Sequence, residues 1–182
     1  MRRGPRPKPP GVNAPDVESM IRVDHAGEFG AVRIYEGQLA ILGNRKSAAV
    51  ASIRKMAKEE EKHLAAFDKL VNERRVRPTA LEPVWRVAGF ALGAATALMG
   101  EKAAMACTAA VEEVIDEHYA SQIDRLDSDP DLKAKVADFR ADEIAHRDKA
   151  LAAGAGEAPG YRVLSEAIKA GCRIAIKLSE RI

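Results

Sequence analysis

Six side chains fall into two matching sets that could hold metal. Glu28 stands alone, and Glu60 is followed three residues on by His63; Glu112 stands alone, and Glu143 is followed by His146. The step from the single glutamate to the Glu-x-x-His pair is 32 residues in the first set and 31 in the second. A carboxylate and an imidazole at i and i+3 project from one face of a helix. One Glu-x-x-His in a chain with 31% charged residues would be an ordinary solvated helix face. Two copies, each preceded by a lone glutamate at nearly equal spacing, supply the carboxylates and imidazoles of a carboxylate-bridged di-iron or di-manganese site inside a four-helix bundle.

The donor set suits those metals. Glutamate oxygen is a hard ligand and imidazole a borderline one, a mixture that fits Fe or Mn. Zinc sites usually close with fewer ligands, often cysteines, and calcium sites use oxygen without histidine. Four carboxylates neutralise two divalent cations, as burial demands. Glu60 and Glu143 share a turn with a histidine and are the expected bridges, with Glu28 and Glu112 terminal. The choice of Glu60 over Glu59 or Glu61 rests on its spacing to His63, and that of Glu112 over Glu113 on the repeat; both alternatives stay open on sequence alone. Asp142 directly precedes Glu143 and is expected to bond the outer ring nitrogen of the opposite histidine, His63. His25 reads as a surface histidine, while His118 and Tyr119 could border a substrate pocket.

These residues need helices to carry them. The chain has 182 residues, enough for one domain, with hydrophobic residues at 47% and aromatics at only 4%. Abundant alanine favours helix over sheet. Helices are expected at 15–42 with Asn13 as cap, 47–75, 101–126, 130–152 and 161–182, with Gly43-Asn44, Ser128-Asp129-Pro130 and 154–160 as breaks. The repeat extends beyond the ligands. Tyr35 and Tyr119 lie seven residues beyond Glu28 and Glu112, and Gln38 and Gln122 lie ten beyond, on the same helical stripe. The expectation is two helical hairpins, 14–76 and 101–152, with metal between them. Residues 1–13 read as a basic, proline-rich disordered tail, and without an apolar stretch after Arg2-Arg3 it is no secretion signal. A net charge of +2 gives no reason to expect nucleic acid as a partner. Cys107 and Cys172 form no C-x-x-C pair, which suits a reducing compartment.

The strings IRVDHAGEFGAVRIYEGQLAIL, EEEKHLAAF, WRVAGFALGAATALMGEKAAMACTAAVEEVIDEHYASQI and DEIAHRD resemble the demethoxyubiquinone hydroxylases of ubiquinone biosynthesis, over roughly residues 20–151. The resemblance implies an all-α, ferritin-like four-helix bundle with an extra apolar membrane-associated segment and a C-terminal helix. It implies two iron ions, O2 as co-substrate, and hydroxylation of a polyprenyl quinone or quinol ring in the penultimate step of the pathway. The family's ligands match Glu28, Glu60, His63, Glu112, Glu143 and His146. Its catalytic His-Tyr pair, implicated in the substrate and electron route, matches His118 and Tyr119. Glu117 stands where some members carry a further histidine, and Arg147 follows His146 where some carry a second one. The resemblance allows a homo-oligomer and contact with other proteins of the pathway. With no G-x-G-x-x-G loop, reducing power is expected from outside, as NADH, a reductase or the quinol.

Residues 87–100 hold no charge, and this stretch is too short to span a bilayer, which needs about 20 residues. An interfacial segment over 84–100 is expected, with Trp85 and Arg86 as anchors and Phe90 and Leu92 facing lipid. Lys169, Arg173, Lys177 and Arg181 recur every four residues beside an apolar stripe of Leu164, Ile168, Gly171, Ala175, Leu178 and Ile182, as on a helix lying on an anionic surface. The expected location is the inner membrane, peripheral: on the cytoplasmic side of a bacterial cell, which the lack of a long presequence favours, or on the matrix side of a mitochondrion. The rival reading is a ferritin-like iron oxidase or storage protein using the same ligands.

Overall fold

The computed structural model describes residues 15–182, so the tail and the Asn13 cap lie outside the described residues. Six α-helices follow one another: α1 Pro15–Leu42, α2 Ala48–Arg74, α3 Glu82–Leu98, α4 Glu101–Ile123, α5 Pro130–Ala152 and α6 Tyr161–Ser179, with a 3-10 turn at Ala155–Glu157 before α6. Among the described residues there is no strand.

Local chemistry fixes the ends. The Ser47 hydroxyl accepts from the Val50 amide at 3.2 Å and caps α2, which stops at Arg75 in a left-handed conformation (φ 54°). Asp129 caps α5 by accepting from the Leu132 amide at 3.2 Å, with Pro130 opening the helix. Arg74, at the end of α2, pairs with that same Asp129, placing a cation at one helix C-terminus and an anion at the next N-terminus. Helix α4 stops three residues short of the expected end, and residues to Leu126 form the turn.

The helices stack in three paired layers. α2 and α5 form one outer layer, α1 and α4 the middle, and α3 and α6 the other outer layer, α3 lying on α1 and α6 on α4. The repeat is therefore one of three helices: α6 is the counterpart of α3, which the sequence reading treated as unrelated additions. Backbones touch between α1 and α3. A Cβ on Gly93 would sit 1.9 Å from the Ile34 carbonyl oxygen, and one on Gly37 would sit 2.2 Å from that of Phe90. Two apolar plugs close the bundle. At one end Leu42, Ile53, Met56 and Met105 pack together; at the other Ile21, Phe67, Leu126 and Leu132 do. Each such side chain contributes roughly 1.5–3 kcal/mol on burial. Between the plugs, at mid-height, lies a buried polar layer.

The outer faces of α3 and α6 correct two expectations. Lys169 bonds Glu113 at 2.7 Å and Arg173 bonds Glu117 at 3.0 Å, so half of the basic row clamps α6 onto α4 instead of facing outward. Leu92 packs inward beside Ile34, Val111 and Ile168, whereas Phe90 is exposed as expected, along with Val84, Val87 and Leu98. Trp85 is half-buried and donates to the Ser179 hydroxyl at 3.0 Å, tying the start of α3 to the end of α6. No helix of the described residues is long and apolar enough to cross a membrane.

Candidate metal centre

The middle layer and the α2/α5 layer bring all six predicted side chains together. Glu28 comes from α1, Glu60 and His63 from α2, Glu112 from α4, and Glu143 and His146 from α5; none is more than 3% exposed. Their donor atoms form two overlapping groups, Glu28, Glu60, His63 and Glu143 in one, and Glu60, Glu112, Glu143 and His146 in the other, with the atoms of each within 4.8 Å of one another. Glu60 and Glu143 belong to both groups. His63 Nδ1 lies 3.2 Å from Glu143 Oε1 and 3.6 Å from Glu28 Oε2, and His146 Nδ1 lies 2.9 Å from Glu60 Oε1.

A second ring of groups holds the first. Tyr35 donates to Glu112 Oε1 at 2.6 Å, and Tyr119 donates to Glu28 Oε1, each crossing from one repeat to the other. His63 Nε2 lies 3.1 Å from Asp142 Oδ2, and His146 Nε2 lies 2.9 Å from Glu59 Oε2. Outer carboxylates of this kind set the tautomer of a ligating imidazole and turn its other nitrogen inward. Glu59, an open ligand alternative on sequence, thus sits behind His146, while Glu61 is exposed and Glu113 is bound to Lys169. Sequence reasoning missed the outer role of Glu59, although it precedes Glu60 as Asp142 precedes Glu143.

The atoms left over test whether metal fits. Among the described residues, twelve buried side-chain atoms lack a hydrogen-bond partner, and eight of them belong to these six residues. They are both oxygens of Glu60 and of Glu143, one oxygen each of Glu28 and Glu112, and Nδ1 of each histidine. At about 1–3 kcal/mol apiece, eight orphaned polar atoms would rival the entire ~5–15 kcal/mol stability of a domain. Two cations sharing the Glu60 and Glu143 carboxylates would satisfy all eight. The residues fit the group.

Without cations the charges strain against their surroundings. Burial pushes the carboxyls of Glu60, Glu112 and Glu143 upward, and their mutual repulsion adds to it for Glu60 and Glu112. Burial alone would lower His63, but Glu143 and Glu28 outweigh it and push it up to about 11. His146 likewise rises to about 8 against burial, through Glu60 and its neighbours.

Other predicted residues sit around this centre. The Tyr119 ring is buried and its hydroxyl reaches Glu28, whereas His118 lies outward beside Asp24, with Nε2 at 3.1 Å from Asp24 Oδ1. His25 is buried at 6% exposure and bonds Asp68 at 2.9 Å, so it is no surface histidine. Of the two departures from the family pattern, Glu117 bonds Arg173 and Arg147 bonds Asp116 at 3.2 Å; both lie outside the metal layer.

Comparison with known proteins agrees with this geometry. The family described as ubiquinone biosynthesis protein COQ7 matches residues 15–179. A 3-demethoxyubiquinol 3-hydroxylase of Rhodospirillum rubrum is 60% identical over 167 residues, covering 91% of this chain and 78% of its own. The human NADPH-dependent 3-demethoxyubiquinone 3-hydroxylase, mitochondrial, is 52% identical over 171 residues, with the same coverage of 91% and 78%. The mitochondrial 5-demethoxyubiquinone hydroxylase of Saccharomyces cerevisiae is 38% identical over 182 residues, covering 91% and 78%. With a match from the first described helix to the end of the last, this chain belongs to the COQ7 family of ubiquinone biosynthesis proteins.

Proposed function

We propose that this protein is an O2-dependent monooxygenase that hydroxylates the quinone or quinol ring of a polyprenyl demethoxyubiquinone. Glu28, Glu60, His63, Glu112, Glu143 and His146 would hold two iron ions. The observation that carries this reading is the set of eight partnerless donor atoms converging on one buried layer, in a chain whose relatives are named hydroxylases of this ring. Those relatives do not favour the iron-storage alternative.

When bound, the iron pair supplies the redox reactivity toward O2 that ring hydroxylation requires. The chain's own part is positioning and exclusion. Glu60 and Glu143, with both oxygens of each free to face the layer, would contribute to holding both ions. Tyr35 and Tyr119 hold the terminal glutamates in one rotamer across the repeat, while Asp142 and Glu59 aim the imidazoles. The two apolar plugs keep bulk water out of the layer. A reduced nicotinamide is the proposed reductant, in keeping with the NADPH dependence in the names of several relatives.

The outer layer supports contact with a membrane surface. Val87 and Leu98 on α3 are 68% and 73% exposed, and Val163 and Ile174 on α6 are 74% and 60% exposed. Directly beneath, Ile34, Leu92, Val111 and Ile168 form an apolar cluster between α3, α6 and the middle layer. A polyprenyl quinone entering there would pass from lipid to the bundle without crossing water. We place the protein peripherally on the inner membrane, facing the cytoplasm in a bacterium or the matrix in a mitochondrion.

The test is genetic replacement in a ubiquinone-deficient host that accumulates demethoxyubiquinone, read by mass spectrometry. The wild-type gene should convert the intermediate to ubiquinone, and Glu143→Ala or His146→Ala should leave it unconverted. Conversion by either variant at the wild-type level would refute the assignment.

A further inference from the structure

The two repeats differ in the polar pairing around their equivalent glutamines. Taking Glu28 and Glu112 as equivalent pairs Gln38 with Gln122, Thr108 with Asp24, and Ile34 with His118. In one half Gln38 Nε2 donates to the Ala104 carbonyl at 3.1 Å and to the Thr108 hydroxyl at 3.3 Å, and Ile34 is buried in an apolar cluster. In the other half Gln122 Nε2 donates to Asp24 Oδ1 at 2.7 Å, and His118 Nε2 approaches the same oxygen at 3.1 Å. A neutral hydroxyl therefore suffices to seat the glutamine. The ionisable Asp–His pair is an addition that packing does not require.

This pair joins two environments. Asp24 is 2% exposed and its Oδ2 is buried without a partner. His118 lines a cavity of about 220 Å³ between the start of α1 and the ends of α4 and α6, together with Asp16, Ser19, Ser121, Arg125 and Glu180. Asp16 and Arg125 pair with each other at 2.9 Å; His118 and Gln122, their Nε2 atoms 2.8 Å apart, line the cavity and both reach Asp24 Oδ1, and of the two only the His118 ring can carry a proton. On the inner side, Asp24 lies one helical turn from Glu28. Residues so spaced have Cβ atoms about 5–6 Å apart on one face, a gap that one water can bridge.

We propose that His118 and Asp24 form the route by which protons reach the metal layer from solvent, entering on the Glu28 side. The inference rests on the monooxygenase reading, which creates the need for it. One atom of O2 enters a ring C–H bond to give C–OH, and the other leaves as water. A reduced nicotinamide donates two electrons and one proton as hydride, so the remaining proton of that water must come from solution. The six ligands are sealed by apolar plugs, and the opposite half of the repeat presents only Thr108 and Ile34 at the equivalent positions. Burial raises the Asp24 carboxyl, with His118 and Gln122 opposing it, which brings it toward the range in which a carboxyl both accepts and releases a proton.

The full chain loaded with iron is assayed for hydroxylated quinone under reduced nicotinamide, in H2O and in D2O. Asp24→Asn keeps the shape and the acceptor for Gln122 but carries no proton. It should bind iron as the wild type does and lose about 100-fold in hydroxylation. His118→Ala should lose a similar factor, enlarge the cavity, and recover with added imidazole in proportion to the imidazolium present, which a purely structural defect would not do. Iron-replete Asp24→Asn within about twofold of wild type, or His118→Ala that imidazole leaves unchanged, would overturn the route. Absence of hydroxylation by the wild-type protein would instead sink the underlying monooxygenase reading, so the two failures are distinguishable.

Discussion

Each imidazole of the candidate metal layer has one nitrogen facing the carboxylate cluster and the other tied to an outer carboxylate, His63 to Asp142 and His146 to Glu59. In the metal-free protein the inward nitrogens compete for protons, because the surrounding carboxylates raise His146 to about 8 and His63 to about 11 against the opposing effect of burial. A cation needs those lone pairs, and it needs the raised carboxyls of Glu60, Glu112 and Glu143 deprotonated. Protons and metal therefore oppose each other, and affinity falls as pH falls through about 8, where His146 takes up its proton. Titrating apoprotein with Co(II) should give binding at least about tenfold tighter at pH 8 than at pH 6, with proton release on loading. Equal affinity at the two pH values would show that the assigned atoms do not face the ion. At this scale the sequence was unevenly legible. Asp142 stood out because Asp-Glu-x-x-His is a recognisable string. Glu59 did not, because it lies in a run of three adjacent glutamates where spacing selects a ligand and says nothing of its neighbours' roles. Asp24 carries no signal of its own, because its contact with His118 joins residues 94 apart in the chain.

Among the helices, the contact of α3 with α1 is the tightest, being backbone on backbone. A methyl group at Gly93 meets the Ile34 carbonyl oxygen at 1.9 Å, and no side chain is there to move aside. Gly93→Ala should destabilise the protein by about 1–3 kcal/mol, whereas Gly171→Ala, where a Cβ meets nothing within 4 Å, should be neutral or gain up to about 1 kcal/mol. Thermal unfolding of the two variants checks this; similar melting points would argue against the close helix approach. Helix boundaries were readable because caps and breakers announce them: Ser47, Asp129-Pro130 and Gly160 all sit at observed ends. The pairing of α3 with α1 and of α6 with α4 was not, since an exposed apolar face and a buried one have the same 3.6-residue period. The basic row of α6 showed the limit in another way. Its spacing suited an anionic surface, but in the fold Glu113 and Glu117 already occupy Lys169 and Arg173.

The whole molecule has a polar layer between α2/α5 and α1/α4 and an apolar outer face on α3 and α6. With the proposed membrane contact, that polarity would orient the protein, with the polar layer on one side and lipid on the other. Replacing Val87 and Leu98 by glutamate should sharply weaken sedimentation with liposomes while leaving metal content and melting temperature near wild type, because both side chains already face outward. Undiminished liposome binding would remove α3 from the membrane contact. A charge at Leu92, by contrast, should damage the fold itself, since that residue packs inward against the cluster of Ile34 and Ile168.

All three scales converge on whether two cations occupy one buried layer. The direct measurement is iron stoichiometry of the full-length protein reconstituted without oxygen, with Mössbauer spectra recorded after oxidation. Wild-type protein should hold about two irons per chain as a magnetically coupled pair, and Glu143→Ala, which removes a carboxylate common to both groups, should lose the coupling and most of the metal. A single uncoupled iron in the wild type, or an intact coupled pair in the variant, would contradict the assignment.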